Sequence, residues 1–342
     1  MNINAFRNTL ASRLRALPVV ILYVTEACNL RCVMCSYREA QPGELSIGEI
    51  RSLADVLCSF GLRQIVFSGG EPLVRRDLPE ICTIFRERGI RQTLLTNGAL
   101  LKKRLGELKD FFSEVIISLD GPTARIHDEI RGSKSFDLAV AGIREMKSTG
   151  FAGSVSIRTV LQKKNFHAFD AMVDLARNMG VDRISFLAAD VLSGAFGRPT
   201  GADNRPDAFM LDRREIQSFR TILTAARDKF KKEFDTGFIS ESPDRLMRIA
   251  QYYEALEGST EFPRNVCNAP MVSAVITSTG DILPCFFLGS YGNLRKEKIP
   301  QLVNMPAAIK TRKEVRDYTL DRCHTCVCTL SVSPLRALVD SF

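Results

Sequence analysis

The sequence contains no tryptophan, and its aromatic residues are not interleaved with basic ones as a base-stacking surface requires. Only short basic blocks occur, such as Lys102-Lys103-Arg104 and Lys231-Lys232. A nucleic-acid partner is therefore not expected. No apolar run is long enough to cross a bilayer; residues 18–24 fall far short. No membrane role is expected. The amino terminus, MNINAFRNTLASRLRALP, is basic and weakly amphipathic. It lacks the apolar core and small-residue cleavage site of a signal peptide, so a cytoplasmic location is expected. Repeats and low-complexity tracts are also missing. Histidine is scarce, with three residues. His127 on a helical turn and His167 at a helix start read as capping or surface residues, not as acid–base groups.

What is abundant is cysteine. There are ten, mostly in metal-like spacings, in a 342-residue chain too large to need disulfide staples. Reduced thiols fit the cytoplasm as well. The length allows one large domain and a smaller one. The net charge of +8 suits an anionic small molecule or an acidic carrier protein.

Residues 25–37 read TEACNLRCVMCSY and place Cys28, Cys32 and Cys35 in C-x3-C-x2-C spacing. Three thiolates on one short loop suit iron held through soft sulfur ligands. A structural zinc site wants four ligands, and no fourth cysteine or histidine is near. The preceding run, residues 18–24, is continuously apolar, as in a strand buried on both faces of a parallel sheet. Further strand-like runs lie at 64–67, 92–95, 114–119, 154–160 and 183–187. Helical patterns lie at 47–60, 78–88, 101–109, 135–147, 168–178 and 213–230. Ser46, three residues before Glu49, marks a capping box. Alternating strands and helices predict six parallel βα units, with the cysteine loop at the carboxyl end of the first strand. Cys58 and Cys82 sit in amphipathic helices and read as structural thiols.

The cysteine loop resembles that of the radical S-adenosylmethionine (SAM) superfamily, and later motifs repeat the resemblance in order. Ser68-Gly69-Gly70-Glu71-Pro72 follows the second strand, Thr96-Asn97-Gly98 the third, and Ser118 to Gly121 ends the fourth. The resemblance implies a partial (β/α)6 barrel. It implies that Cys28, Cys32 and Cys35 hold a [4Fe-4S] cluster whose fourth iron binds SAM. Around that SAM it implies Tyr37 near the adenine and the Gly69-Gly70 backbone at the amino group, with Glu71 fixing the turn. Thr96, Asn97 and Ser118 lie beside the same ligand. Arg131 and Arg158 are both candidates for its carboxylate, the alternative for each being a structural ion pair. Leu187, ending the sixth strand, would pack on the adenine. The long Gly/Pro-rich segment 190–211 then reads as a lid or substrate loop.

Past residue 264 the chain changes character. Cys267 and Cys285 flank a hairpin pattern with Ser278-Thr279-Gly280 as its turn. Cys323 and Cys326 supply a C-x2-C pair, followed by Cys328. Zinc is a competing reading for such a pair. The region resembles SPASM and Twitch auxiliary-cluster domains. Five cysteines imply the shorter Twitch form, a β-hairpin/helix iron–sulfur domain with one [4Fe-4S] cluster on Cys267, Cys285, Cys323 and Cys326. Cys328 is a replacement ligand, a bystander or a hydrogen donor. The expected organisation is an extension (1–18), a barrel (19–230), a linking region (231–264) and the auxiliary domain (265–342).

The resemblance implies an oxidoreductase with two clusters and SAM, fed by a reductant such as flavodoxin or ferredoxin. A 5′-deoxyadenosyl radical would take hydrogen from a small molecule such as a sugar or aminocyclitol. Net dehydrogenation is expected, because the spacing gives Cys328 no clear aim at the barrel mouth. The alternatives are a sugar epimerase with a cysteine donor, a ribosomal-peptide maturase and a zinc-stabilised binding module.

Overall fold

The computed structural model describes residues 4, 7–8, 11–198, 208–328 and 330–331. Six parallel strands run in sequence order: β1 (Val19–Thr25), β2 (Gln64–Gly69), β3 (Arg91–Thr96), β4 (Glu114–Ser118), β5 (Ser154–Leu161) and β6 (Arg183–Ala188). Between them lie α1 (Ile47–Ser59), α2 (Leu78–Arg86), α3 (Leu101–Leu108), α4 (Ala124–Arg131), α5 (Ser135–Ser148) and α6 (Phe169–Asn178). Parallel neighbours need such crossovers, so the alternation in the sequence becomes a partial α/β barrel of six units. The β1 run is apolar because it is central: Val20, Leu22, Tyr23 and Val24 are all buried. Ser46 and Glu49 form the expected capping box of α1. A second one, Asp212 with Glu215, opens α7 (Arg213–Lys229). The stretch read as a single helical turn around His127 is the full helix α4.

Residues 231–264 fold into α8 (Lys231–Asp235) and α9 (Pro243–Leu256), and α9 packs on α7 and β6. The buried Tyr253 hydroxyl donates to the Leu161 carbonyl (2.6 Å) and accepts from the Ala189 amide (3.1 Å). This stretch therefore braces the last two barrel strands.

The carboxy-terminal hairpin forms as the pattern predicts, β7 (Ser273–Ile276) antiparallel to β8 (Asp281–Leu283). Gly280 takes the left-handed turn position at φ 92°. The hairpin is not a separate sheet. β7 pairs in parallel with β1, Val19 opposite Ser273 through Leu22 opposite Ile276. With β9 (Gly292–Asn293) the sheet order is β6-β5-β4-β3-β2-β1-β7-β8-β9. One strand thus delivers the first cysteine loop and carries the hairpin that delivers Cys285. The helices α10 (Ala269–Val272), α11 (Ile299–Leu302), α12 (Pro306–Asp317) and α13 (Asp321–His324) complete the described chain. Among the described residues, no helix is long and apolar enough to cross a membrane.

Candidate active site

Cys28, Cys32 and Cys35 lie in the loop that leaves β1, and two charged residues shape it. The Arg38 guanidinium donates to the carbonyls of Tyr37 (2.6 Å), Cys35 (2.7 Å) and Cys32 (3.4 Å). One Glu44 oxygen accepts from the Thr25 hydroxyl (2.9 Å) and the amides of Glu26 (2.8 Å) and Gln41 (3.2 Å). The three cysteines are free and half-buried. The Cys28 sulfur accepts from the Leu30 amide (3.5 Å) and faces the Asn97 side-chain amide at 3.9 Å. The Cys32 sulfur lies 3.8 Å from the Arg131 carbonyl, and the Cys35 sulfur 3.6 Å from the Phe196 carbonyl. Burial pushes the Cys32 thiol up to about 11. A thiolate is the ligating form, so metal loading must displace protons here. Among the described residues, no three metal-ligating side chains converge on a single point. Thiolates that each hold a different iron of a cluster need no such convergence, and a soft all-sulfur donor set fits iron–sulfur.

The turn after β2 is stitched to this loop. The Gly70 amide donates to the Thr25 carbonyl (2.8 Å) and the Glu71 amide to the Ala27 carbonyl (2.8 Å). A Cβ on Gly70 would stand 2.3 Å from the Ala27 oxygen and 2.5 Å from the Glu26 oxygen. Gly69, at φ 119°, would meet the Thr25 oxygen at 2.2 Å. The glycine pair is thus required first by backbone-to-backbone contact. Glu71 is buried, and its carboxylate accepts from the Leu73 amide (3.0 Å), the Thr96 hydroxyl (2.7 Å) and the Asn97 amide (2.7 Å). These bonds tie the turn to the end of β3. Asn97 also donates to the Asn29 side chain (2.9 Å), tying the end of β3 to the cysteine loop.

The two candidate arginines differ. Arg131 is paired with the fully buried Asp120 at 2.6 Å, the ion-pair alternative. Arg158 is half-buried on β5, opposite Ser118 in register, and donates to the Ser185 hydroxyl at 3.3 Å. Burial raises the Glu241 carboxyl, and the Phe186 amide and the Arg158 charge offset part of that rise. Leu187 lies on the neighbouring strand, opposite Val160.

His127 departs from its expected capping or surface role. It is fully buried, and its Nδ1 accepts the Asp120 amide at 3.0 Å. Its ring must stay neutral to accept there. Burial, and then the Arg131 charge, push its pKa down to about 4 from the usual 6.5. The unfolded chain therefore binds the extra proton between those two values. Stability should fall as pH drops through that window, by about 3 kcal/mol in all. Denaturant melts of wild type and His127→Asn from pH 7 to 4 check this; the variant should lose that slope. His167, by contrast, is exposed.

The second cysteine set surrounds one cavity, partly open to solvent. Cys267, Cys285, Cys323, Cys326 and Cys328 all line it. Burial pushes the Cys285 thiol up to about 12, with Cys267 and Cys323 adding to the shift. The Cys326 sulfur accepts the Cys328 amide at 3.4 Å. Cys328 itself is solvent-exposed.

A run of rings, the buried Tyr23 and the half-buried Phe286 and Phe196, links the two cysteine segments. Tyr23 and Phe286 stack at 6.3 Å and 20°, and Phe286 and Phe196 at 6.1 Å and 28°. Phe286 directly follows Cys285, and Tyr37 meets Tyr23 edge-on at 6.0 Å.

Comparison with known proteins decides the family. Residues 22–176 match the model of the radical SAM superfamily, and residues 267–327 that of SPASM, an iron–sulfur cluster-binding domain. An Fe-coproporphyrin III synthase of Methanosarcina barkeri is 39% identical over 343 residues, covering 90% of this chain and 80% of that protein. The chain belongs to the radical SAM superfamily. An AdoMet-dependent heme synthase of Oleidesulfovibrio alaskensis is 28% identical over 295 residues, 82% of this chain and 72% of that one. The solved structure of Streptococcus suis SuiB bound to precursor peptide SuiA shares the fold, with TM-score 0.65, 18% identity and coverage of 95% and 74%.

The protein is thus a radical SAM enzyme with a SPASM domain, and its cofactors are SAM and [4Fe-4S] clusters. A sugar or aminocyclitol substrate has no support among these relatives. Sequence reasoning overlooked several residues of the radical SAM site. Arg38 and Glu44 act through backbone groups and belong to no side-chain pattern. Phe196 and Phe286 became meaningful only when the fold set them together. The middle of the segment read as a lid, residues 199–207, lies outside the described residues.

Proposed function

We propose that the enzyme modifies an iron tetrapyrrole, as an Fe-coproporphyrin III synthase or a close variant of one. The observation that carries this is the run of near-parallel rings, Tyr23, Phe286 and Phe196, between the two cysteine sets. A flat conjugated macrocycle is the guest that such rings favour. Two relatives with tetrapyrrole names, one 39% identical, agree with it. So does a net charge of +8, because coproporphyrin carries carboxylates. Exposed Val33, Leu192, Val266 and Leu330 belong to the same cysteine segments and loop, and would meet the apolar body of such a guest.

In this reading Cys28, Cys32 and Cys35 hold the SAM-binding cluster. Cys267, Cys285, Cys323 and Cys326 hold one auxiliary cluster in the Twitch manner. When bound, the reduced cluster and SAM supply a radical that takes hydrogen from carbon, and the auxiliary cluster takes up or supplies an electron. Gly69 and Gly70 present their backbone to SAM, while Glu71, Thr96 and Asn97 keep that backbone in place. Arg158, not already paired as Arg131 is, meets the SAM carboxylate beside Ser118. Tyr37 and Leu187 flank the adenine. A low-potential carrier such as flavodoxin or ferredoxin delivers electrons. The overall change in the substrate is oxidative, so Cys328→Ala should retain turnover. Product formed in deuterated water should gain no carbon-bound deuterium at the reacting centre.

The test is binding and turnover by the anaerobic holoenzyme. Fe-coproporphyrin III should bind with a shifted porphyrin absorption band. Reduced enzyme with SAM should form or consume that compound in a mixture of iron tetrapyrroles. No binding and no change in the mixture would reject the reading.

A further inference from the structure

The geometry points to Phe196 as a specificity-determining residue whose ring forms the outer face against which a flat substrate packs, with Asp190 as its positioning residue. Phe196 adopts a left-handed backbone, φ 62° and ψ 31°. A bulky residue rarely does so, and strain of this kind persists where neighbours enforce it. Its carbonyl accepts the Ser36 amide at 2.9 Å and stands beside the Cys35 sulfur. Its ring lies on Phe286, beside Cys285, with Phe287 edge-on at 6.5 Å. It is half-buried, so one part of the ring is open to a guest. Of the three stacked rings, Tyr23 is the buried inner end and Phe196 the outer end.

Asp190 explains why the loop holds this shape. Its carboxylate is buried and accepts from the Ser193 hydroxyl and the Arg198 guanidinium, which also donates to the Asp190 carbonyl. The two partners bracket Phe196 in sequence. The other carboxylate oxygen accepts from Arg322 on α13 at 2.6 Å. Arg322 is one residue from Cys323, and its guanidinium covers the Phe287 ring at 5.2 Å. One carboxylate therefore ties the Phe196 loop to the helix that carries an auxiliary-site cysteine. One buried and one half-buried arginine share this buried aspartate, which makes it costly for a partner to leave.

This inference rests on the tetrapyrrole reading only for the natural substrate; the flat face itself is a property of the rings. Two anionic conjugated probes separate the two. Phthalocyanine tetrasulfonate is flat, and biliverdin is an open, non-planar tetrapyrrole. Holoenzyme should bind the flat probe more tightly. Phe196→Ala should weaken the flat probe about tenfold and the non-planar one far less. Phe196→Tyr should restore the preference. Asp190→Asn should lower the same ratio, and the double variant Asp190→Asn/Phe196→Ala should be no worse than Phe196→Ala, because Asp190 acts through that ring. General damage to the fold would weaken both probes alike and leave the ratio unchanged, which would overturn the inference. So would wild-type selectivity in Phe196→Ala, or additive effects in the double variant. Ring-dependent selectivity without turnover of any iron tetrapyrrole would leave the inference standing and remove the proposed substrate. Turnover with selectivity indifferent to Phe196 would do the reverse.

Discussion

Replacing Cys28, Cys32 and Cys35 together with alanine should abolish reductive cleavage of SAM and halve the iron content. Two [4Fe-4S] clusters amount to about eight irons per chain, and the triple variant should retain about four. The expectation follows from the separation of the two cysteine sets. The first leaves β1 directly, while the second lines its own cavity, with Cys267 before β7 and the other four after β8. The auxiliary ligands do not pass through the first loop, so that site should load without it. Iron and sulfide analysis after anaerobic reconstitution reads the stoichiometry, and 5′-deoxyadenosine formation reads the chemistry. Zinc in place of the remaining iron would refute the auxiliary assignment. About twelve irons in the wild type would refute the one-cluster Twitch form.

The second large effect is expected at Gly70. Alanine there adds a single atom, yet that atom would lie 2.3 Å from one carbonyl oxygen and 2.5 Å from another, both in the cysteine loop. Backbone on both sides must move apart. A displacement on the order of 1 Å at a reacting centre costs roughly 100-fold in rate. Gly70→Ala should therefore lose about two decades of SAM cleavage. Gly48→Ala is the matching control. Gly48 lies in α1 with open space where its Cβ would stand, so its cleavage rate should equal that of the wild type. Wild-type cleavage by Gly70→Ala would mean that the β2 turn does not hold the cysteine loop.

These two effects also show where the sequence was readable. The cysteine spacing, the Gly-Gly-Glu turn and the strand-end Thr96-Asn97 are local patterns, and the fold sets them side by side. The six strands were legible for a similar reason. Each centres on apolar residues, continuous in residues 19–24 and interspersed with polar ones in β3 to β5. What escaped was non-local. Nothing in residues 273–276 announces that β7 will add to β1, since its partner lies some 250 positions earlier. Asp190, Arg198 and Arg322 are ordinary charged residues until the chain brings them together, Asp190 and Arg322 from 132 positions apart. His127 read as a surface residue because α4 is strongly polar, with only His127 and Ile130 buried in it. Arg131 stood open between ligand and ion pair until Asp120, 11 residues before it, was seen to take its charge.

The substrate is decided by the source of the hydrogen that reaches 5′-deoxyadenosine. The most direct measurement incubates reduced holoenzyme and SAM with three deuterated candidates in turn: an iron tetrapyrrole mixture, an aminocyclitol and a peptide. Deuterium should appear in 5′-deoxyadenosine from the tetrapyrroles alone, and should be absent in the Cys28/Cys32/Cys35 alanine variant. Deuterium from the aminocyclitol or the peptide, with none from the tetrapyrroles, would contradict the account.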